Sequence, residues 1–131
     1  MAGAWQAYHG GDVSAARTIC ERLLSADGDD VAALFLAGLI DYGCGDSALA
    51  VERLTRVVQL RPAYAEAHNN LGNALAALGQ LSKAEQAFRE ALRRKRQYPE
   101  ALNNLANTLR DQRRLGEAVD AYRAALQLRP D

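Results

Sequence analysis

Six asparagines stand in two matching groups: Asn69, Asn70 and Asn73 in "AEAHNNLGNALAALG", and Asn103, Asn104 and Asn107 in "PEALNNLANTLRDQR". Asparagine is a poor helix former because its amide competes for backbone hydrogen bonds, yet both segments carry the apolar spacing of helices. A carboxamide offers one acceptor and two donors in the planar geometry of a peptide bond. A row of them along a helix can therefore grip an extended backbone without reading its side chains. Each bond contributes about 0.5–1.5 kcal/mol net, so such a grip needs several amides together with apolar contact. The same amides could instead bridge neighbouring helices or face water.

Other reactive residue types lack the company that chemistry requires. His9 and His68 are isolated from each other and from carboxylates at ligand spacing, so no metal is expected. "DYGCGDSA" at 41–48 has the glycines, acids and serine of a phosphate loop, but not its lysine or preceding strand, and reads as a helix-to-helix turn. "RRKR" at 93–96 ends a helix, where cations complement the dipole, and reads as a solvated face. No serine, cysteine or acid pair lies beside a plausible base, so neither catalysis nor a cofactor is expected of this chain.

The 131 residues are 49% hydrophobic and 6% aromatic with a formal net charge of zero, which fits an ordinary globular chain and gives no pointer to nucleic acid. Residues 1–64 carry 8 acids and 5 bases, and residues 65–131 carry 8 acids and 11 bases, a mild dipole. Cys20 and Cys44 are too few for a disulfide scaffold or a zinc site and read as reduced, intracellular thiols. "MAGAWQAYHGG" lacks the features of a signal peptide, and the longest apolar run, "VAALFLAGLI", is ten residues long. No membrane span is expected, and the cytoplasm is the expected compartment.

The elements that must carry the asparagines follow from a repeat. A shift of 34 residues gives 13 identities among the 33 pairs from 65/99 to 97/131, among them Glu66/Glu100, Leu71/Leu105 and Ala84/Ala118. Such a period means stacked helix pairs. The register extends backwards through Gly38 and Gly45 to Gly11, giving a single array over 1–131: a partial unit at 1–30, then units at 31–64, 65–98 and 99–131. Small residues are expected to let the two helices of a unit approach, with Gly72 or Ala106 facing Ala84 or Ala118 while Leu71, Leu75, Phe88 and Leu92 fill the surroundings. Gly11, Gly45 and Gly79 end first helices where left-handed backbone is suited. Arg113 holds that place in the last unit, so a less ideal turn is expected there. "DGDD" at 27–30 offers helix caps, and Pro99 suits a first turn.

The unit "AEAHNNLGNALAALGQLSKAEQAFREALRRK" resembles a tetratricopeptide repeat, with Leu71, Gly72, Leu75, Ala84, Phe88 and Ala91 at that family's signature positions. His68, Leu102, Arg96 and Cys20 depart from the usual residues without altering a backbone requirement. The resemblance implies an all-α, right-handed superhelical solenoid of antiparallel helix pairs, with first helices lining a concave face. Equivalent first-helix positions then give Trp5 and Tyr8, then Phe35, Leu39 and Tyr42, then the two asparagine groups. The expected groove is aromatic at its N-terminal end and amide-lined at its C-terminal end.

Two uses within the family compare residue by residue. The clamps that hold the C-terminal carboxylate of heat-shock chaperones match at Asn73 and Asn104, but Asn69 stands where they carry lysine and their third unit would begin beyond Asp131. The superhelical arm of O-GlcNAc transferases carries a concave asparagine ladder, which Asn70 and Asn104 match; Leu36 breaks it one unit earlier. The implied function is a non-catalytic scaffold that binds a protein or peptide segment along the groove. The alternatives are the substrate-recruiting N-terminal region of a glycosyltransferase or sulfotransferase, and a structural module that self-associates through its ends. The final "LRPD" brings no polar capping helix, so a piece of a longer array, or pairing with another copy through the exposed face of the last helix, is also expected.

Overall fold

The computed structural model describes residues 1–129; Pro130 and Asp131, the end of "LRPD", lie outside the described residues. The described residues form eight helices and no strand: α1 (Ala2–His9), α2 (Val13–Ala26), α3 (Val31–Gly43), α4 (Ser47–Leu60), α5 (Ala65–Ala77), α6 (Leu81–Arg94), α7 (Pro99–Asp111) and α8 (Leu115–Leu128). They group into two compact units, Met1–Pro62 and Ala63–Asp131. Each unit holds two antiparallel helix pairs, α1/α2 with α3/α4 and α5/α6 with α7/α8.

Local chemistry sets the helix ends. Asp12, Asp30 and Asp46 each cap the helix that follows, their Oδ1 atoms accepting from the backbone N–H of Ala15, Ala33 and Leu49. The caps at Asp12 and Asp46 went unread in the sequence, where only the "DGDD" cap was legible. Pro99 sits in the first turn of α7. Gly11, Gly45 and Gly79 have φ of 87°, 88° and 75°. Arg113, at the equivalent place, is forced to a φ of 65°. This is the left-handed region that disfavours a side chain.

In two of the pairs the close approach of the helices is made at a glycine. A Cβ added to Gly72 would lie 2.5 Å from Phe88 Cε1, and one added to Gly38 would lie 2.9 Å from Leu54 Cγ. The small residue on the first helix thus makes room for the large side chain of the second. Phe88 and Leu54 are fully buried as a result. In the last pair Ala106 replaces the glycine, and Tyr122, at the place of Phe88, is only half-buried.

Unit one contains an ion cluster where unit two has plain core. Asp41 occupies the register of Leu75 and Leu109, yet it is buried. Arg53 donates from Nη1 to its Oδ2 at 2.9 Å, and Arg17 Nη2 lies 3.8 Å from Oδ1. One carboxylate therefore ties α2, α3 and α4 together. Burial pushes its carboxyl up, against the opposing pull of the Arg53 and Arg17 charges.

The turn glycines yield a test with two signs. At Gly79 a Cβ would meet nothing within 4 Å, so Gly79→Ala isolates the cost of left-handed backbone. We expect a loss of about 1–2 kcal/mol in urea unfolding, and a gain for Arg113→Gly of up to about 1 kcal/mol. Equal signs for the two variants contradict the assignment.

Candidate functional site

The asparagines do not behave as one set. In unit two, α5 and α7 lie side by side. Asn104 on α7 donates from Nδ2 to Asn69 Oδ1 on α5 at 3.0 Å. Asn69 is only 6% exposed, and its amide also meets the phenol of the buried Tyr98. It therefore spends its hydrogen-bonding capacity inside the unit, bridging the two first helices. Asn107 likewise accepts from the Tyr122 hydroxyl on α8, and Arg110 Nη1 approaches that hydroxyl at 3.4 Å.

The other three asparagines remain available. Asn70 and Asn73 are half-buried on α5 and Asn103 is exposed on α7. None of their side chains makes a hydrogen bond among the described residues. A half-buried amide without a partner gains most from one supplied externally, because it has already lost part of its water. Asn103 and Asn69 share a register position; Asn69 is closed by Asn104, whereas Asn103 has no such neighbour among the described residues.

Tyr98 had no part in the sequence reading. It is 7% exposed, packs with Ala65, Ala91 and Ala101, and carries the Lys95 ammonium 4.5 Å above its ring. Burial, with help from the Glu66 and Glu100 charges, pushes its phenol up to about 12. Lys95 Nζ also lies 3.5 Å from Glu66, and Arg129 donates to Glu100, so the same cation-to-acid staple recurs after 34 residues. The period itself held this signal, since residues 66, 95, 100 and 129 are fixed by it.

The expected apolar contacts lie in unit one and also divide. Phe35 is buried in the core, while Trp5 and Tyr8 on α1 and Leu39 on α3 are half-buried, and Tyr42 is 41% exposed. Trp5 meets Tyr8 edge-on at 6.0 Å and lies 6.3 Å from Phe35, with His9 stacked on it at 5.5 Å. Trp5, Tyr8 and Leu39 pack against buried Ala4, Ala16, Cys20 and Ile40. Burial pushes the Cys20 thiol up, away from the reactive thiolate. Among the described residues no three His, Cys, Asp or Glu side chains come close enough to hold a metal. No described helix is long and apolar enough to cross a membrane.

Burial of the Tyr98 phenol makes stability depend on pH at the alkaline end. A phenol whose folded pKa lies above its unfolded value of about 10 favours folding fully below that pH, and the benefit is lost as pH rises through about 12. The urea midpoint of the wild type should fall over this window, and Tyr98→Phe should flatten the fall. Asn69→Ala should cost about 1–3 kcal/mol at neutral pH. Asn103→Ala, at the same register, should leave stability unchanged.

Comparison with known proteins agrees with this geometry. The family model "Tetratricopeptide repeat" matches residues 35–99 and 77–131. A crystal structure of MamA superposes with a TM-score of 0.90 at 24% identity, over 97% of this chain and 74% of that one. MamA from Desulfovibrio magneticus RS-1 gives 0.90 at 22% identity, over 95% and 71%. A mutant O-GlcNAc transferase from Thermobaculum terrenum gives 0.78 at 37% identity, over 82% of this chain and 21% of the transferase. The MamA likenesses speak to the fold, and the family model reaches most of the sequence. The chain belongs to the tetratricopeptide repeat family.

Proposed function

We propose that the chain is a non-catalytic scaffold that binds an extended protein segment, with the free amides of α5 and α7 gripping its backbone. The repeat family supports a protein-interaction scaffold in general. The observation that carries the finer reading is the trio Asn70, Asn73 and Asn103, whose amides stand without partners among the described residues. Asn104 and Asn107 sit among them with part of their capacity left over, since each uses one side-chain atom in a bond of its own. Asn69 acts here by holding Asn104 in place. In unit one, Trp5, Tyr8, Leu39 and Tyr42 offer apolar and aromatic surface for a partner's side chains, with Phe35 supporting Trp5 from the core. Several amide bonds of about 0.5–1.5 kcal/mol each suit an affinity no tighter than micromolar.

A second reading is the substrate-recruiting region of a longer transferase. The 37% identity to the Thermobaculum terrenum O-GlcNAc transferase favours it, as does the match of Asn70 and Asn104 to the asparagine ladder of such arms. A coding sequence that continues into a catalytic domain supports this reading, and one that stops at Asp131 removes it.

The peptide-gripping reading is tested by capture. Proteins retained from source-cell lysate by the wild type should be lost, at least tenfold, on Asn70→Ala/Asn73→Ala/Asn103→Ala, while circular dichroism stays the same. Full retention by that variant moves binding off the amide face.

A further inference from the structure

We propose that Arg110 selects the gripped segment by an acidic side chain, an inference that rests on the peptide-gripping reading. The Arg110 guanidinium and the Asn107 amide together take the carboxylate, so the partner is an extended peptide with an aspartate or glutamate beside the backbone that the asparagines hold. Asn103, Asn107 and Arg110 are all exposed on α7, at spacings of four and three. That spacing sets them on one stripe of the helix, with Arg110 one turn beyond Asn107. It is the one arginine or lysine on α5 and α7. The acids at the start of these two helices are already held, Glu66 by Lys95 and Glu100 by Arg129.

The chemistry of that turn is one-sided. The Tyr122 hydroxyl donates to Asn107 Oδ1, so the acceptor of this amide is engaged while the N–H donors of its Nδ2 have no partner among the described residues. The same hydroxyl oxygen faces Arg110 Nη1 at 3.4 Å. Amide oxygen and hydroxyl are thus turned toward one another and toward the guanidinium, and what remains to offer a partner is N–H. Arg110 itself is loosely engaged. Its contacts among the described residues, to the Tyr122 hydroxyl and to Asp111 Oδ1, are each 3.4 Å long, beyond the usual range of about 2.7–3.2 Å. The Arg110 and Asp111 side chains are 55% and 52% exposed, so water screens their attraction and a carboxylate in better geometry can displace it. A carboxylate accepts on both oxygens and suits this donor set. A glutamine of the same shape brings N–H groups of its own and gains less, and a lysine is repelled. The surplus of bases in residues 65–131, 11 against 8 acids, steers an acidic segment the same way.

An array of acetylated, amidated nonapeptides, built from Ala, Ser, Val and Gly around a central Glu, Gln or Lys, separates this selection from the grip itself. The full wild-type chain should retain Glu members at least about fivefold more strongly than their Gln isosteres, and Lys members least. Arg110→Gln should keep the Gln members and lose the Glu preference, and Arg110→Glu should turn the preference to Lys. Both variants should keep the helicity of the wild type, because the side chain is exposed. Asn70→Ala/Asn73→Ala/Asn103→Ala should lose all members alike. Retention without a Glu preference, or a Glu preference that survives Arg110→Gln, overturns the selection by Arg110 and leaves the grip of the amides standing. An array from which the wild type retains nothing overturns both.

Discussion

The close approach of the two helices in each pair is the constraint from which the rest follows. At Gly72 there is no room for even a Cβ beside the Phe88 ring, and at Gly38 the same holds for Leu54. Interiors are packed too densely to absorb such an overlap without movement. With the large side chain seated in the gap left by glycine, first and second helices lock at a fixed distance. Alanines such as Ala84, Ala87 and Ala91 then bury completely or nearly so on the facing side. Neighbouring first helices are thereby held close enough for side chains on α5 and α7 to meet. The Asn69 to Asn104 bond exists only because that spacing is set elsewhere.

This dependence explains why identical residues take different roles. Asn69 and Asn103 stand at the same repeat position, yet one is buried against a neighbouring first helix and the other is open. The last pair differs in kind as well, with Ala106 in place of glycine and a tyrosine whose hydroxyl turns to Asn107 and Arg110. Unit one replaces a core leucine by Asp41 and answers it with two arginines. A buried ion pair of this kind adds little net stability, because desolvation offsets most of the attraction. Its better-attested use is to specify pairing, which suits an array whose helix pairs otherwise resemble one another.

Much of this is legible in the sequence. The 34-residue period gave the helix pairs, and the left-handed turns at Gly11, Gly45, Gly79 and Arg113 followed from register alone. What stayed hidden depends on contacts between elements. The repeat sets Gly72 against a second helix, but only the packed structure shows the Phe88 ring seated directly beside it. For the asparagines the sequence leaves gripping a ligand and bridging neighbouring helices both open, because helical spacing sorts residues within a helix and cannot tell which amides meet across two. Asn69 and Asn104 lie 35 residues apart, one place off the period, so the repeat that revealed the helices concealed that bond. Tyr98 and Asp41 were missed because polar side chains in the core are visible only once their partners are known.

The division of the asparagines into bridging and available amides is the central claim, and side-chain amide exchange measures it directly. In proton–nitrogen spectra of labelled protein, the Asn104 side-chain NH2 should exchange with solvent markedly more slowly than those of Asn70, Asn73 and Asn103. Asn69→Ala should bring the Asn104 amide to the rate of the others while leaving theirs unchanged. Equal rates for all of these amides in the wild type contradict the division, and with it the assignment of Asn70, Asn73 and Asn103 as the binding set.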